Sequence, residues 1–368
     1  MTEVSGRIVR PGGIVPGRVE IHGPTIVDVV AAGSTPDDFV VPGFVDLHCH
    51  GGGGATFTTG VVPQARAAAE FHLRHGTTTL LASLVSSRYE LMRDATAAFA
   101  PLVSEGLLEG IHFEGPYLSR ARCGAQNPAF LRDPSLDELS ELLDLGAGAV
   151  RMVSIAPELP GALDAIRFLA GRGVIAALGH TDATYEQTMA GVAAGGTVGT
   201  HLCNGMRPPH HREPGPVVAL LDSPTVVCEL IADGVHLHDG MLSFAAHAAG
   251  PERTALITDA TDAAGMPDGT YTLGGQAVTV ADRVARLEGG GAIAGSTLTM
   301  DAALRRAVGA GIGLPDACLM ASTTPARVLG LADTVGALEA GLRADLVVLS
   351  PALEVIRVMR AGRWLPSA

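Results

Sequence analysis

Val41-Pro42-Gly43-Phe44-Val45-Asp46-Leu47-His48-Cys49-His50 runs directly into four glycines, Gly51 to Gly54. Phe44, Val45 and Leu47 form a short apolar run, and His48 and His50 stand two apart at its end. Residues i and i+2 of a β-strand share a face, so both imidazoles point one way and Cys49 the other. Two imidazoles converging where a strand meets a glycine-rich turn can grip a divalent cation. A lone His-x-His is equally compatible with a buried pair, so the reading depends on partners elsewhere in the chain.

Outward from this stretch the pattern is strand, turn, amphipathic helix, repeated. Apolar strand runs fall at 44–50, 77–85, 110–114, 150–156, 174–180, 197–203, 226–236 and 254–259, with helical stretches at 63–75, 89–103, 136–145, 162–170 and 184–194. Eight strands alternating with helices predict an α/β fold, a (β/α)8 TIM-type barrel. Residues 1–41 hold short β-prone runs broken by Gly and Pro, and residues 344–349 and 355–363 share that texture. The two ends are therefore expected to pair as a small β-sandwich domain of residues 1–41 and 336–368, around a barrel of 42–335. The segment 270–291 breaks the rhythm and reads as a β-hairpin excursion that could join the small domain.

Bulk composition excludes several classes. The net charge of −13 and the lack of a basic stripe argue against nucleic acid. Apolar runs are short and interrupted by His, Asp and Glu, so no membrane span is expected. The first residues carry no apolar signal region. The 5 cysteines are scattered singly, which points to a reducing, cytoplasmic setting. All 25 positive residues are arginines. Schiff-base catalysis, a Walker lysine and a carbamylated-lysine metal bridge are thereby excluded.

Active sites of such barrels form at the C-terminal strand ends. Those ends carry His48 and His50, Glu114, His180, His201, His236 and Asp259. Six strand ends delivering such residues to one rim is not what packing alone produces. One carboxylate with two or four imidazoles suits Zn2+, with Fe2+ as the alternative, at one or two ions per chain. A further carboxylate not needed for charge balance, Asp259, suits a general base. A metal held this way polarises a carbonyl and brings the pKa of bound water to about 7, which is the chemistry of metal-assisted hydrolysis.

His-x-His with later Glu, His, His and a strand-8 Asp resembles the amidohydrolase superfamily. Within it, His112-Phe113-Glu114-Gly115-Pro116-Tyr117, Gly179-His180-Thr181-Asp182, Thr200-His201-Leu202-Cys203-Asn204-Gly205-Met206, Arg212-Glu213-Pro214-Gly215, Ala232-Asp233-Gly234-Val235-His236, Thr258-Asp259-Ala260 and Gly295-Ser296-Thr297-Leu298-Thr299-Met300 resemble the N-acetylglucosamine-6-phosphate deacetylase family. The resemblance implies a main metal on Glu114, His180 and His201. It also implies a second site at His48 and His50, bridged by Glu114. Asp259 would activate the water and then protonate the leaving amine. Implied substrate contacts are Ala125 and Gln126 in a lid loop, Asn204, Gly205, Arg212, His236, Ile293, Ala294 and Gly295. The family's arginine crosses a homodimer interface, which places Arg212 in the neighbouring site.

Two departures stand out. Gly205 replaces the family's usual Ala and is expected to loosen one wall, and Gln126 replaces a His, removing a charge from the lid. Cys49 reads as packing, and the Gly51 to Gly54 tract lacks the Lys or Ser/Thr of a phosphate loop. His210 and His211 read as a solvated turn, and His238 and His247 as helix-surface residues. Rival readings are a deacetylase of another N-acetyl amino sugar, another amidohydrolase, or a non-catalytic sugar-phosphate sensor.

Overall fold

The computed structural model describes residues 1–289 and 291–366. Position 290 of the expected excursion and positions 367–368 of the expected small domain lie outside the described residues. Eight parallel strands form one sheet in sequence order: Phe44–Asp46, Thr77–Val85, Gly110–Glu114, Val150–Ile155, Ile175–Leu178, Gly196–Gly199, Val227–Ile231 and Thr254–Ile257. The Thr77–Val85 strand is buried along its whole length, as parallel strands under helices on one side and a packed interior on the other must be. The sheet's two edges meet through Asp46, whose carboxylate accepts from the Thr258 hydroxyl and the Thr258 and His48 amides. Above it, the His50 amide donates to the Ala260 carbonyl and the Asp259 amide to His48, both at 2.8 Å. The alternation of His48, Cys49 and His50 thus persists past the end of regular strand pairing.

Several strands are shorter than their apolar runs suggest. The fifth stops at Leu178, the sixth at Gly199 and the eighth at Ile257. Just beyond, His180, His201 and Asp259 have φ of 46°, 27° and 49°. Non-glycine residues rarely occupy this left-handed region, and the turn both ends the ladder and aims each side chain inward.

The helices lie where the apolar spacing places them. Val62–Arg74 has Pro63 in its first turn, where a missing N–H costs nothing, and buries Ala65, Ala68, Ala69, Phe71 and His72. Tyr185–Ala193 starts at a reciprocal cap between Thr184 and Gln187. Among the described residues, no helix is long and apolar enough to cross a membrane.

The terminal segments make one seven-stranded, mostly antiparallel sheet rather than two hydrogen-bonded sheets. It curls on itself, because the Ile26 amide reaches the Leu342 carbonyl and the Ala344 amide reaches Pro24. Ile8, Val19, Ile21, Ile26, Leu346 and Met359 fill the enclosed space, giving sandwich-like packing from a single sheet. The excursion differs more. It is a three-stranded sheet of Gly269–Leu273, Gln276–Ala281 and Val284–Leu287, separate from the terminal sheet. Its own apolar face packs on Val85, Ala263 and Ala294 at the barrel mouth.

Candidate active site

Two groups of potential ligands sit side by side at that mouth: Glu114 with His180 and His201, and His48 and His50 with Asp259. Glu114 Oε1 lies 3.0 Å from His180 Nε2 and 2.9 Å from His201 Nε2, while Oε2 lies 3.2 Å from His50 Nε2. His48 and His50 approach Nε2 to Nε2 at 3.1 Å, and Asp259 Oδ1 is 3.3 Å from His50. Glu114 therefore lies between the two groups, with Oε2 on His50 and Oε1 on His180 and His201 and 3.5 Å from His48 Nε2.

The tautomers follow from the outward nitrogens. His180 Nδ1 donates to the Arg122 carbonyl at 2.8 Å, His201 Nδ1 to Asn204 at 3.1 Å and His50 Nδ1 to Ser83 at 3.1 Å. His48 Nδ1 faces Glu229 Oε2 at 3.3 Å. With the proton on Nδ1, each Nε2 turns a lone pair inward. Four lone pairs and two carboxylates about 3 Å apart repel one another unless a cation sits among them. Ligands of one tetrahedral ion at 2.0–2.1 Å lie about 3.3 Å apart, so the residues fit a divalent metal. The electrostatics agree. Burial opposes charge on His50, yet Asp259 and Glu114 lift its pKa to about 9. Burial would raise the Glu114 carboxyl, but His48, His180 and His201 hold it well below the usual range. The centre attracts positive charge.

A cleft of about 230 Å³ opens above these groups. Of the residues expected to touch substrate, Ala125, Gln126, Asn204, Gly205, His236, Ile293 and Gly295 line it, as do His50, Glu114, His180, His201 and Asp259. His236 Nδ1 lies 2.7 Å from Asp233 Oδ2, which leaves Nε2 for the cleft. Burial lowers the His236 pKa, but Asp233 outweighs it and the net shift is upward.

Three expectations change. Ala294 is fully buried in the core beneath the excursion, and its side chain does not line the cleft. Arg212, expected to serve a neighbouring copy's site, is exposed, with its guanidinium on His211, and does not line its own chain's cleft. The Gln126 side-chain oxygen accepts from the Ser86 amide at 2.7 Å, so its nitrogen donates to Glu114 Oε2 at 2.5 Å. Only one N–H of that amide remains for a substrate. Gly205 does not loosen a wall: at φ +58°, a Cβ there would stand 2.7 Å from His180 Nδ1 and 3.2 Å from the Arg122 carbonyl. Glycine makes room for the hydrogen bond that orients His180.

Some site residues escaped the sequence reading. Glu229 lies inside an apolar strand, and His112 is held between Ser83 and Ser154 inside the barrel. Burial pushes the His112 pKa well down, so this ring stays neutral beneath the metal ligands. The Arg122–Asp182–Arg207 ion pairs pin the lid loop beside His180. Glu229 was visible as an acidic residue breaking the run Val226-Val227-Cys228-Glu229-Leu230-Ile231, and His112 and Asp182 stand inside the family motifs without an assigned role. The packing assigned to Cys49 holds: it is buried, with Sγ 3.2 Å from His72 Nε2.

Comparison with known proteins agrees with this geometry. Residues 39–365 match the amidohydrolase family. An N-acetylglucosamine-6-phosphate deacetylase from Lysinibacillus sphaericus is 35% identical over 88% of this chain and 85% of its own. An N-acetylgalactosamine-6-phosphate deacetylase from Escherichia coli O157:H7 is 38% identical over 89% and 87%. The crystal structure of N-acetyl-D-glucosamine-6-phosphate deacetylase from Mycobacterium smegmatis superposes with a TM-score of 0.96 at 45% identity, covering 100% of both chains. With its barrel, its paired ligand groups and these relatives, the chain belongs to the amidohydrolase family, among the N-acetylglucosamine-6-phosphate deacetylases.

Proposed function

We propose that the protein hydrolyses N-acetyl-D-glucosamine 6-phosphate to D-glucosamine 6-phosphate and acetate. The observation that carries this is the convergence of Glu114, His180, His201, His48, His50 and Asp259 under one cleft. Glu114, His180 and His201 would hold the main cation, and His48 and His50, with Asp259 and Glu114 beside them, would hold another. The N/O donor set suits Zn2+, with Fe2+ as the alternative. Such a cation, when bound, acts as a Lewis acid on the amide carbonyl and lowers the pKa of water.

The residues of the chain do the rest. Asp259 takes a proton from the attacking water and passes it to the leaving nitrogen, so one carboxylate serves as base and then acid. Its backbone is anchored on both sides, donating to His48 and accepting from Ser296 at 2.7 Å, which fixes the carboxylate over the cleft. His236, Asn204, Gly205, Ile293 and the lid residue Ala125 shape the sugar's berth. The exposed Arg212 reaches the phosphate in a second copy's cleft, making the enzyme a homodimer. Val218, Met241 and the 60% exposed Phe244, on the two helices that follow Arg212, offer apolar surface for that contact. Among the described residues, none of the terminal sheet lines the cleft, so we assign catalysis to residues 42–335 and read 1–41 and 336–368 as a supporting unit. The unpaired cysteines suit a cytoplasmic setting.

A second reading, hydrolysis of the galacto epimer, is favoured by the similarity to the Escherichia coli enzyme. Acetate release from N-acetylglucosamine, N-acetylgalactosamine and their 6-phosphates tests both, with the metal stripped and restored. Fastest turnover of the gluco 6-phosphate, lost on chelation, is expected. Preference for the galacto epimer would replace the first reading by the second. Tight phosphosugar binding without release from any amide would sink both.

A further inference from the structure

We propose that Glu229 is a positioning residue for the second cation site, acting through His48. It rests on the reading above that His48 and His50, with Asp259 and Glu114 beside them, hold a second cation. Three of the four inward-facing imidazoles have Nδ1 on a neutral carbonyl: Ser83, Arg122 and Asn204. His48 alone has a carboxylate there, Glu229 Oε2 at 3.3 Å, and both side chains are fully buried. Glu229 sits in the seventh strand, 181 positions away in sequence. The same oxygen accepts the His201 main-chain N–H at 3.2 Å. Its other oxygen, Oε1, is buried without a hydrogen-bond partner.

A carboxylate is costly in such a place unless opposite charge lies nearby. Among the described residues Glu229 pairs with no arginine, and the charged partner it faces is the His48 ring. A carboxylate on Nδ1–H holds the proton on that nitrogen, fixes the ring plane and makes Nε2 a stronger donor. A carbonyl does the first two but contributes less to the third. With Glu114 and Asp259 already in the centre, a third carboxylate exceeds what one divalent cation neutralises. Among the four inward-facing imidazoles, the one ring backed by a carboxylate is thus a ligand of the second group.

The test measures metal content and stepwise affinity by chelator competition in wild type, Glu229→Gln, Glu229→Ala, His48→Ala and the double variant. Gln keeps an acceptor for His48 and His201 and removes only the charge. Wild type is expected to take up two equivalents of Zn2+. Glu229→Gln should weaken the second about 10–100-fold while leaving the first within a few-fold. Glu229→Ala should add nothing once His48 is already Ala, because the effect runs through that ring. Equal weakening of both equivalents, or loss of folding by circular dichroism in Glu229→Gln, would show a purely structural role and overturn the proposal. An unchanged second equivalent would also overturn it, leaving the two-cation reading intact. A single equivalent in wild type would overturn both, while acetate release would still report on the deacetylase reading separately.

Discussion

Asp259 and Glu114 are both buried carboxylates, but only Glu114 faces imidazoles of both groups, while Asp259 meets the His48–His50 side alone. Asp259→Asn should therefore keep the main cation and lose about 10²–10⁴-fold in kcat. Metal analysis beside steady-state kinetics checks this, and near-normal turnover would end the base assignment. Gly205→Ala asks for a Cβ 2.7 Å from His180 Nδ1 at a left-handed backbone. That conformation costs about 1–2 kcal/mol for an L-residue before any contact is counted. The His180–Arg122 bond should loosen, and the main cation should bind several-fold more weakly in chelator competition. Unaltered affinity would mean that the Arg122 loop yields freely.

At the scale of elements, the three-stranded excursion is a wall of the cleft: Leu273 lines it, and Gln276 Nε2 donates to the lid carbonyl of Ala125 at 2.7 Å. The helix Val62–Arg74 braces the glycine turn after the first strand. Its His72 Nε2 donates to the Gly51 carbonyl at 2.8 Å, directly below the glycine turn. Burial lowers the His72 pKa from 6.5 to about 4. The folded state thus keeps His72 neutral where the unfolded chain takes a proton. Its contribution is complete above pH 6.5 and falls as pH drops toward 4, by about 3 kcal/mol in all. Urea unfolding across that window should show a shallower acid loss for His72→Leu than for wild type. Parallel curves would contradict the neutral buried ring.

For the whole molecule, a net charge of −13 cannot draw a phosphate dianion by its overall field, so recognition has to be local. Arg212 is exposed and outside its own cleft, and its planar fork matches two phosphate oxygens. Arg212→Ala should raise KM for the 6-phosphate and barely affect the unphosphorylated sugar, by about 1.5–3 kcal/mol in kcat/KM. Mixing Arg212→Ala with Asp259→Asn should restore part of the activity, since a mixed dimer rebuilds one cleft from two chains. No restoration, or a monomer by sedimentation, would place the phosphate contact elsewhere.

The order of strands and helices, and the strand ends that carry chemistry, were legible in the chain itself. Period-two and period-3.6 apolar patterns and turn residues are local information, and His48, His50, Glu114, His180, His201 and Asp259 all stand at such boundaries. The resemblance to a family added roles to those positions. Tertiary structure alone decided the rest. Asp46 joins the barrel's first and last strands across 212 positions, and Glu229 meets His48 across 181. Ala294 turns into a core, Gln126 turns onto Glu114, and the excursion packs at the barrel mouth. None of these pairings has a periodic trace, because each depends on where the closed sheet brings two distant backbones together. A sequence pattern tells which face a residue takes, and only the closed barrel sets what that face meets.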